Sequence, residues 1–358
     1  MDHGLGSDLP GLNMHSSPPS RGGSLRGYSL LPVQPEEEVI GGRFTVKGLV
    51  GRGGTADVFL TRDNETSELV VVKRLRPDIA RNRELHERFL LEAEALRLIS
   101  HPAVIKILAI EEPPDEPPYL VLEPLQGESL GDHLKRHQFV DAELAVRLMR
   151  EVATALEAVH AAGVVHRDLK PDNIFLVGPI DEPSHVKVLD FGMAQLSSET
   201  YDEQSMSILG TVQYMAPEQI LVEPVDERTD IYSLGMMLFR MVTGQLPFDA
   251  PDTKDLVRHQ LFSPVPPASW LVDELLPGLE AVIYKATRKN PEDRYPDMAS
   301  FGAALDEVLG LADGVAPMGP LDGRDEIYRP RSEKGARAAR VLAKAFGAFG
   351  PTSDRFDS

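Results

Sequence analysis

Apolar and polar positions alternate with a period of two along the chain from about residue 43. Phe44-Thr45-Val46 and Gly48-Leu49-Val50 read as a strand, Gly51-Arg52-Gly53-Gly54 interrupts it, and Val58-Phe59-Leu60 resumes it. This pattern predicts a hairpin whose glycine-rich tip presents backbone N–H groups. Leu69-Val70-Val71-Val72 follows as another strand, closed by Lys73. The period then changes. Between Glu84 and Ser100, Leu85, Phe89, Leu96 and Ile99 recur at spacings of 4, 7 and 3, which places them on one stripe of a helix. Glu92 falls inside that stripe and Glu94 on the opposite side. Leu90, Leu91 and Leu98 lie off it and leave room for a second packing partner. A carboxylate in an apolar stripe needs a cation if it is buried, and the facing strand offers Lys73. The alternative is a solvated Glu92 at the edge of the stripe. His101-Pro102 ends the helix, and Val104 to Ile110 and Tyr119 to Leu122 read as two more strands around the proline-rich acidic loop Glu111–Pro118.

After Gly127 the pattern becomes helical. Asp141 caps a helix running to about Ala162, with Leu144, Leu148, Val152, Leu156 and Val159 inward and Gly163 as its stop. Further helical patterns cover about 227–244, 252–261, 272–288 and 297–310. A small β-rich lobe therefore precedes a larger helical one, with the boundary at Glu123–Gln126. A cleft between two lobes is a common ligand site. Residues 1–40 are rich in Gly, Pro and Ser without periodicity and read as a disordered tail. A second tail, 311–358, contains Ala336–Phe349, where Ala338, Val341, Leu342, Ala345, Phe346 and Phe349 share one helical face beside Arg337, Arg340 and Lys344. That face could dock on the rest of the chain, on a partner or on a membrane surface; a short, marginal helix is the bland alternative.

The polar centre of the chain is His166-Arg167-Asp168-Leu169-Lys170-Pro171-Asp172-Asn173. It holds an imidazole, two cations, two carboxylates and a carboxamide, and Pro171 prevents a helix through it. The β-like run Val186-Lys187-Val188-Leu189 then delivers Asp190-Phe191-Gly192. A polar loop followed by a strand that ends in Asp suggests a combined base and metal site. Composition narrows the rest. A net charge of −19 argues against nonspecific binding to nucleic acid or anionic membranes. The absence of cysteine excludes disulfides, zinc knuckles and thiol catalysis. No apolar run approaches the roughly 18–20 residues of a membrane span, and the expectation is a soluble, cytoplasmic protein without a transmembrane segment.

Together these pieces resemble the eukaryotic-like (Hanks-type) protein kinases in their bacterial serine/threonine branch, over residues 44–308. The motifs are the Gly-rich loop, Lys73, Glu92, His166–Asn173, Asp190-Phe191-Gly192, Ala216-Pro217-Glu218, Asp230 in Thr-Asp-Ile-Tyr-Ser-Leu-Gly, and Arg294 in Asn-Pro-Glu-Asp-Arg-Tyr. The resemblance implies an α+β, two-lobe fold with an N-lobe at 44–123, a hinge at 123–126 and a C-lobe at 127–308. It also implies ATP and Mg2+ as cofactors, with Mn2+ as an alternative ion, and protein serine/threonine hydroxyls as acceptors. By the same resemblance Val50, Gly51, Arg52, Gly53, Gly54 and Val58 cover the nucleotide phosphates. Lys73 contacts them while Glu92 holds it straight. Val71 lies over the adenine, whose edge is read by the backbone of Glu123 and Leu125, with Leu122 as gatekeeper. Asn173 and Asp190 hold the metal, Asp168 orients the acceptor hydroxyl, and Lys170 meets the transferring phosphate. Two departures stand out, Ala56 in place of a third glycine and Val71 in place of a small Ala.

The segment between Asp190 and Glu218 carries Ser197, Ser198, Thr200, Ser205, Ser207 and Thr211, and Arg167 is a cation suited to a phosphorylated residue there. Ser205 stands where related bacterial kinases carry an activating phosphothreonine, and Thr211 reads as a structural hydroxyl for Asp168 and Lys170. Glu199 and Glu203 could substitute for a phosphate, which makes constitutive activity the competing reading. Glu128 and Asp172 are acidic where basophilic relatives attract substrate arginine, but Arg240 opposes them, so no substrate consensus follows. Asp230 is expected to anchor the catalytic-loop backbone, and Glu218 with Arg294 to form a buried ion pair. Trans-autophosphorylation would bring two copies together as a homodimer. A nucleotide-binding scaffold without turnover is the runner-up from a different class.

Overall fold

The computed structural model describes residues 38–178, 186–191, 212–311 and 328–345, and two short paired strands, β1 (Ser24–Leu25) and β2 (Tyr28–Ser29). The N-lobe is built on β3 (Val39–Ile40), β4 (Phe44–Arg52), β5 (Ala56–Asp63), β6 (Leu69–Leu75), β7 (Ile107–Glu111) and β8 (Tyr119–Leu122). They form one antiparallel six-stranded sheet in the order β3-β4-β5-β6-β8-β7. The sheet starts at Val39, ahead of the expected Arg43, because Val39 and Ile40 pair with Thr45 and Phe44. Alternation decides which side chain goes where. Val70 and Val72 join Ile40, Phe44, Leu49 and Phe59 in a core on one face. Val71 faces the other way and packs with Leu60, Leu75 and Leu120 against the helix that crosses the sheet.

That helix, preceded by the single turn α1 (Pro77–Ala80), is α2 (Arg83–Arg97). Asn82 starts it, its side chain accepting the N–H groups of Glu84 and Leu85. Phe89, Ala93 and Leu96 are buried, while Leu91 and Leu98 stand largely exposed on the outer side. The helix ends three residues before the expected Ser100. Strand β7 likewise begins at Ile107, because Val104 is drawn instead into an isolated bridge with Val188.

In the C-lobe come α3 (Leu130–His137), α4 (Ala142–Ala161), α5 (Pro217–Ile220), α6 (Glu227–Thr243), α7 (Thr253–Phe262), α8 (Leu279–Ala286) and α9 (Met298–Leu311). A three-stranded sheet, β11 (Val186–Val188), β10 (Ile174–Val177) and β9 (Gly127–Ser129) in that order, lies beneath the cleft. Asp141 caps α4 as expected, accepting from Glu143 and Leu144. Leu148, Val152, Leu156 and Val159 are buried and Leu144 is half-buried. Helix α6 is the axis of the lobe. From Thr229 to Val242 every residue but Arg240 is buried, and Gly244 ends the helix at φ +72°. The pattern read over 272–288 resolves into the much shorter α8, since Val272–Pro277 forms turns and loop around Pro277.

The C-terminal segment returns to this lobe. Tyr328 is buried, and α10 (Glu333–Ala345) packs Ala339, Ala338 and Leu342 against the core. The helix starts three residues before the expected Ala336, where Ser332 accepts the Gly335 N–H at its N-terminus. The C-lobe itself therefore covers part of the predicted apolar face, while Phe346 and Phe349 lie outside the described residues.

Candidate active site

Asp168, Lys170 and Asn173 lie in the loop and turn before β10, and Asp190 just beyond β11. Pro171 converts the chain after Lys170 into a 3-10 turn, Pro171–Asn173, which leads straight into β10. Within this turn Asn173 donates its amide to the Asp168 carbonyl at 2.7 Å and to the Asp168 carboxylate at 3.1 Å. Lys170 Nζ donates to the same carboxylate oxygen at 2.8 Å. Asp168 is thus held from two sides in a fixed orientation.

The loop that carries Asp168 is pinned from below. Asp230, fully buried on α6, accepts the backbone N–H of His166 at 2.8 Å and of Arg167 at 2.9 Å. His160 contacts Asp230 through Nε2 at 2.7 Å. Three partners compensate the burial of this carboxylate. The His166 ring is buried between Leu189, whose carbonyl lies 2.8 Å from Nε2, and the Phe191 ring, with centroids 4.7 Å apart. Burial pushes its pKa down, more strongly than the pull from Asp230 raises it, so the ring is a neutral spacer at physiological pH. Arg167 at φ +66° and Asp190 at φ +46° both occupy the left-handed region. For a non-glycine residue this costs on the order of 1–3 kcal/mol, and the packing around the loop sustains it.

Across the cleft, Lys73 from β6 meets Asp190 from the end of β11. Its Nζ lies 2.8 Å from Asp190 Oδ1, with the lysine side chain 10% and the aspartate 44% exposed. Burial raises the Asp190 pKa, but the charge and hydrogen bond of Lys73 outweigh it, and the net shift is downward. Glu92, the expected partner of Lys73, is not in this pair. It is half-buried, with no salt bridge among the described residues. Burial raises its pKa, against the more distant attraction of Arg167, Arg88 and Lys73. The pattern identified a Glu on the inner stripe correctly. It could not register a competitor 117 residues away in sequence.

The Gly-rich hairpin tip closes through a hydrogen bond from Gly53 N–H to the Ala56 carbonyl at 2.9 Å. A Cβ on Gly53 would stand 2.9 Å from that same oxygen, so this position requires glycine, whereas Gly51 and Gly54 face open space. Val50 and Val58 are partly buried behind the tip, and Arg52 lies 3.5 Å from Asp57. At the hinge, Val71, Leu122 and Leu125 are buried. The Glu123 carboxylate is turned to the rear of the cleft, accepting from Lys106 N–H at 2.9 Å and Lys187 Nζ at 2.5 Å. Of the two expected metal ligands, Asn173 commits its amide nitrogen to Asp168, and Asp190 commits one oxygen to Lys73. The remaining carboxamide and carboxylate oxygens are hard donors of the kind Mg2+ takes. The residues present therefore fit a divalent ion.

The support below the cleft is also complete. Glu218 and Arg294 are fully buried and joined by two bonds of 2.7 and 2.9 Å, with Thr229 donating to Glu218 at 2.8 Å. Burial raises the Glu218 pKa, but Arg294 overrides it and the net shift is downward. Gln219, which the motifs do not single out, donates to the Arg167 carbonyl at 2.7 Å and accepts the Ala216 N–H at 3.0 Å, tying the two loops together. His160 is the other functional contact missed; a lone histidine on an otherwise apolar helix face was its only sequence signal. The Arg167 Nε is buried without a hydrogen-bond partner among the described residues. Gly192, Ser205, Ser207 and Thr211 lie outside the described residues. Glu128 is engaged by Arg136 and His133, Asp172 by Lys135, and Arg240 by the Gln138 carbonyl. Each of these charges has a partner within the chain.

The protein kinase domain family matches residues 44–298. The chain belongs to the protein kinase family. Among curated proteins it is similar to the serine/threonine-protein kinase Pkn1 of Myxococcus xanthus, 40% identical over 282 residues, covering 77% of this chain and 40% of that protein. It is also similar to pkn3 of the same organism, at 34% over 272 residues with coverages of 74% and 50%. PknB of Mycolicibacterium smegmatis matches at 35% over 285 residues with coverages of 78% and 44%. The chain therefore spans about half the length of these relatives, or less. Among solved structures, the kinase domain of Mycobacterium tuberculosis PknI superposes with a TM-score of 0.59 at 24% identity, covering 76% of this chain and 98% of that one, a likeness of fold. The expected family, its bacterial serine/threonine branch and the two-lobe fold are borne out.

Proposed function

We propose that this chain is an ATP-dependent protein kinase that transfers the γ-phosphate to serine and threonine hydroxyls. The observation that carries the reading is the meeting of Lys73 with Asp190 across the cleft, beside an Asp168 fixed by Lys170 and Asn173. Phosphoryl transfer asks for positioning and charge neutralisation, and these groups supply both. Lys73 is a buried ammonium suited to nucleotide phosphates. Asn173 and Asp190 would hold Mg2+, which neutralises phosphate charge when bound. Asp168 accepts the hydrogen bond of the acceptor hydroxyl and takes its proton as the bond to phosphorus forms. Lys170, on the same carboxylate, offsets charge on the phosphoryl oxygens. The hinge backbone at Glu123 and Leu125 and the side chain of Val71 would read adenine, and the Val50–Val58 loop would cover the phosphates.

Protein hydroxyls are the substrate class, with Arg-bearing segments weakly favoured by the chain's −19 charge. Phosphorylation of Ser205 by a second copy would supply a partner for Arg167 and order the activation segment, with Ser207 as a neighbouring acceptor. The site of action is the cytoplasm, where ATP is supplied. The test is incubation with γ-labelled ATP, Mg2+ or Mn2+ and a generic basic protein, followed by phosphoamino-acid analysis. Phosphoserine and phosphothreonine are expected. Label confined to phosphotyrosine, or no label, would overturn the reading. Ser205→Ala with full activity would remove the Ser205 step alone.

A further inference from the structure

Glu223 lies in the connection between α5 and α6, five residues beyond the Ala-Pro-Glu glutamate, and its side chain is fully buried. A buried carboxylate needs partners. Among the described residues its side-chain hydrogen-bond donors all come from one stretch more than a hundred residues downstream. Oε1 accepts the N–H of Arg331 at 2.8 Å, the N–H of Ser332 at 2.9 Å and the Ser332 hydroxyl at 3.1 Å, while Oε2 accepts the Tyr328 hydroxyl. The Arg331 guanidinium adds its charge from 3.8 Å and bonds the Pro224 carbonyl at 2.7 Å. Gly335 seals the arrangement, since a Cβ there would come within 1.9 Å of Glu223 Oε1. The same stretch reaches two further parts of the lobe. Tyr328 N–H donates to the Leu261 carbonyl of α7 at 3.2 Å and Arg329 N–H to Asn290 at 2.8 Å. The tail is thus latched across the base of the activation segment, and Glu223 N–H itself donates to the Glu218 carbonyl at 2.8 Å.

One residue holds both halves of the latch. The Ser332 hydroxyl donates to Glu223 and accepts the Gly335 N–H at 2.9 Å, so it both fills the carboxylate pocket and starts α10. Its surroundings in sequence are Arg329-Pro330-Arg331-Ser332-Glu333-Lys334, a cationic cluster in a chain of net charge −19. A serine hydroxyl beside three cations suits an acidic kinase surface.

We propose that Ser332 is a phosphorylation site of this kinase and that its phosphate releases the 328–345 latch from Glu223. The proposal rests on the kinase reading given above. In the step, Ser332 Oγ forms a bond to the γ-phosphorus of ATP, the bond to the bridging oxygen of ADP breaks, and the hydroxyl proton passes to the Asp168 carboxylate. The docked hydroxyl is half-buried and bonded to Glu223, so the acceptor is the undocked tail of the same or a second copy. Modification then holds the tail in that state, a shift of population that needs no new force. Redocking would place a group of about −1.5 to −2 charge against the buried carboxylate that the Ser332 hydroxyl now bonds. The helix N-terminus of α10 attracts the phosphate with only about half a unit charge, which does not offset a full, dehydrated one.

The experiment uses the whole chain with Mg2+ and ATP, and a generic basic protein in the same tube. Phosphosites are mapped by mass spectrometry and the amide exchange of residues 333–345 is followed. Phosphate on Ser332 is expected in the wild type and not in Asp168→Asn, with exchange of the α10 amides at least about tenfold faster in the phosphorylated chain. Ser332→Glu should show the faster exchange without ATP, and Glu223→Gln should abolish the difference between phosphorylated and unmodified chains. Two results overturn the proposal and leave the kinase reading standing. They are a labelled basic protein with Ser332 unmodified, and phosphorylated Ser332 with α10 protection unchanged. No label on either protein refutes the kinase reading, and the self-modification with it.

Discussion

Removal of Arg294 is the sharpest test of how the C-lobe supports the site. Its guanidinium spends every N–H on a protein acceptor. Nη1 and Nη2 hold Glu218 at 2.7 and 2.9 Å, and the backbone carbonyls of Arg288, Arg228 and Lys289 take the remaining donors at 2.7–2.8 Å. In Arg294→Ala the Glu218 carboxylate stays fully buried with Thr229 as its only remaining side-chain donor among the described residues. Breaking a buried pair from one side costs about 3–5 kcal/mol. At roughly 2–4 °C per kcal/mol for a domain of this size, Tm should fall by about 6–20 °C. Removing both charges is a different perturbation, because neither is left alone. Glu218→Met with Arg294→Met should therefore lie clearly above the Arg294→Ala single variant in stability. Urea unfolding measures both through the midpoint at constant slope. A loss below about 1 kcal/mol in Arg294→Ala, or a double variant no better than the single one, would refute the reasoning.

Three further outcomes follow from the same geometry. The Glu218 pKa is depressed in the folded state, so its contribution is present above the ordinary value of 4.5 and is lost as pH falls through the depressed one. Stability measured from pH 7 downward should drop more steeply in the wild type than in the Met/Met variant, and equal slopes would contradict this. The Glu92 pKa is raised by burial, so the sign reverses, with stability present below 4.5 and lost as pH rises through the raised value. Glu92→Gln should leave Tm at pH 7 unchanged or higher; a Tm loss would show that the carboxylate is paired in solution. Val71 is buried on the face of β6 that the proposed function assigns to adenine; Val71→Ala should then change KM for ATP, whereas an unchanged value would mean the side chain does not touch the base.

The two-lobe architecture was readable because the two periodicities are local. The apolar run Val70-Val71-Val72 and the stripe of Phe89 and Leu96 each report the buried positions of one element, and those residues are buried. The motif positions were readable for a different reason. Pro171 and Asp230 act within a loop or on its anchor, and their contacts follow from residue type. What escaped depends on long-range choice. Lys73 has two carboxylates to select from, and only the lobe geometry favours Asp190 over Glu92. The tail latch escaped for the same reason. Glu223 and Ser332 are ordinary polar residues in sequence, separated by residues that no periodic pattern bridges. Gln219 likewise acts through backbone carbonyl and N–H groups that carry no sequence signature.

The central claim is that Asp168 serves the acceptor hydroxyl while Lys73, Asn173 and Asp190 serve the nucleotide. Single-turnover transfer of label from ATP to a basic protein, with ATP affinity measured in parallel by calorimetry, separates the two roles. Asp168→Asn should keep ATP affinity within about twofold and lower the transfer rate by roughly 10²–10⁴. Transfer at the wild-type rate in that variant would contradict the assignment.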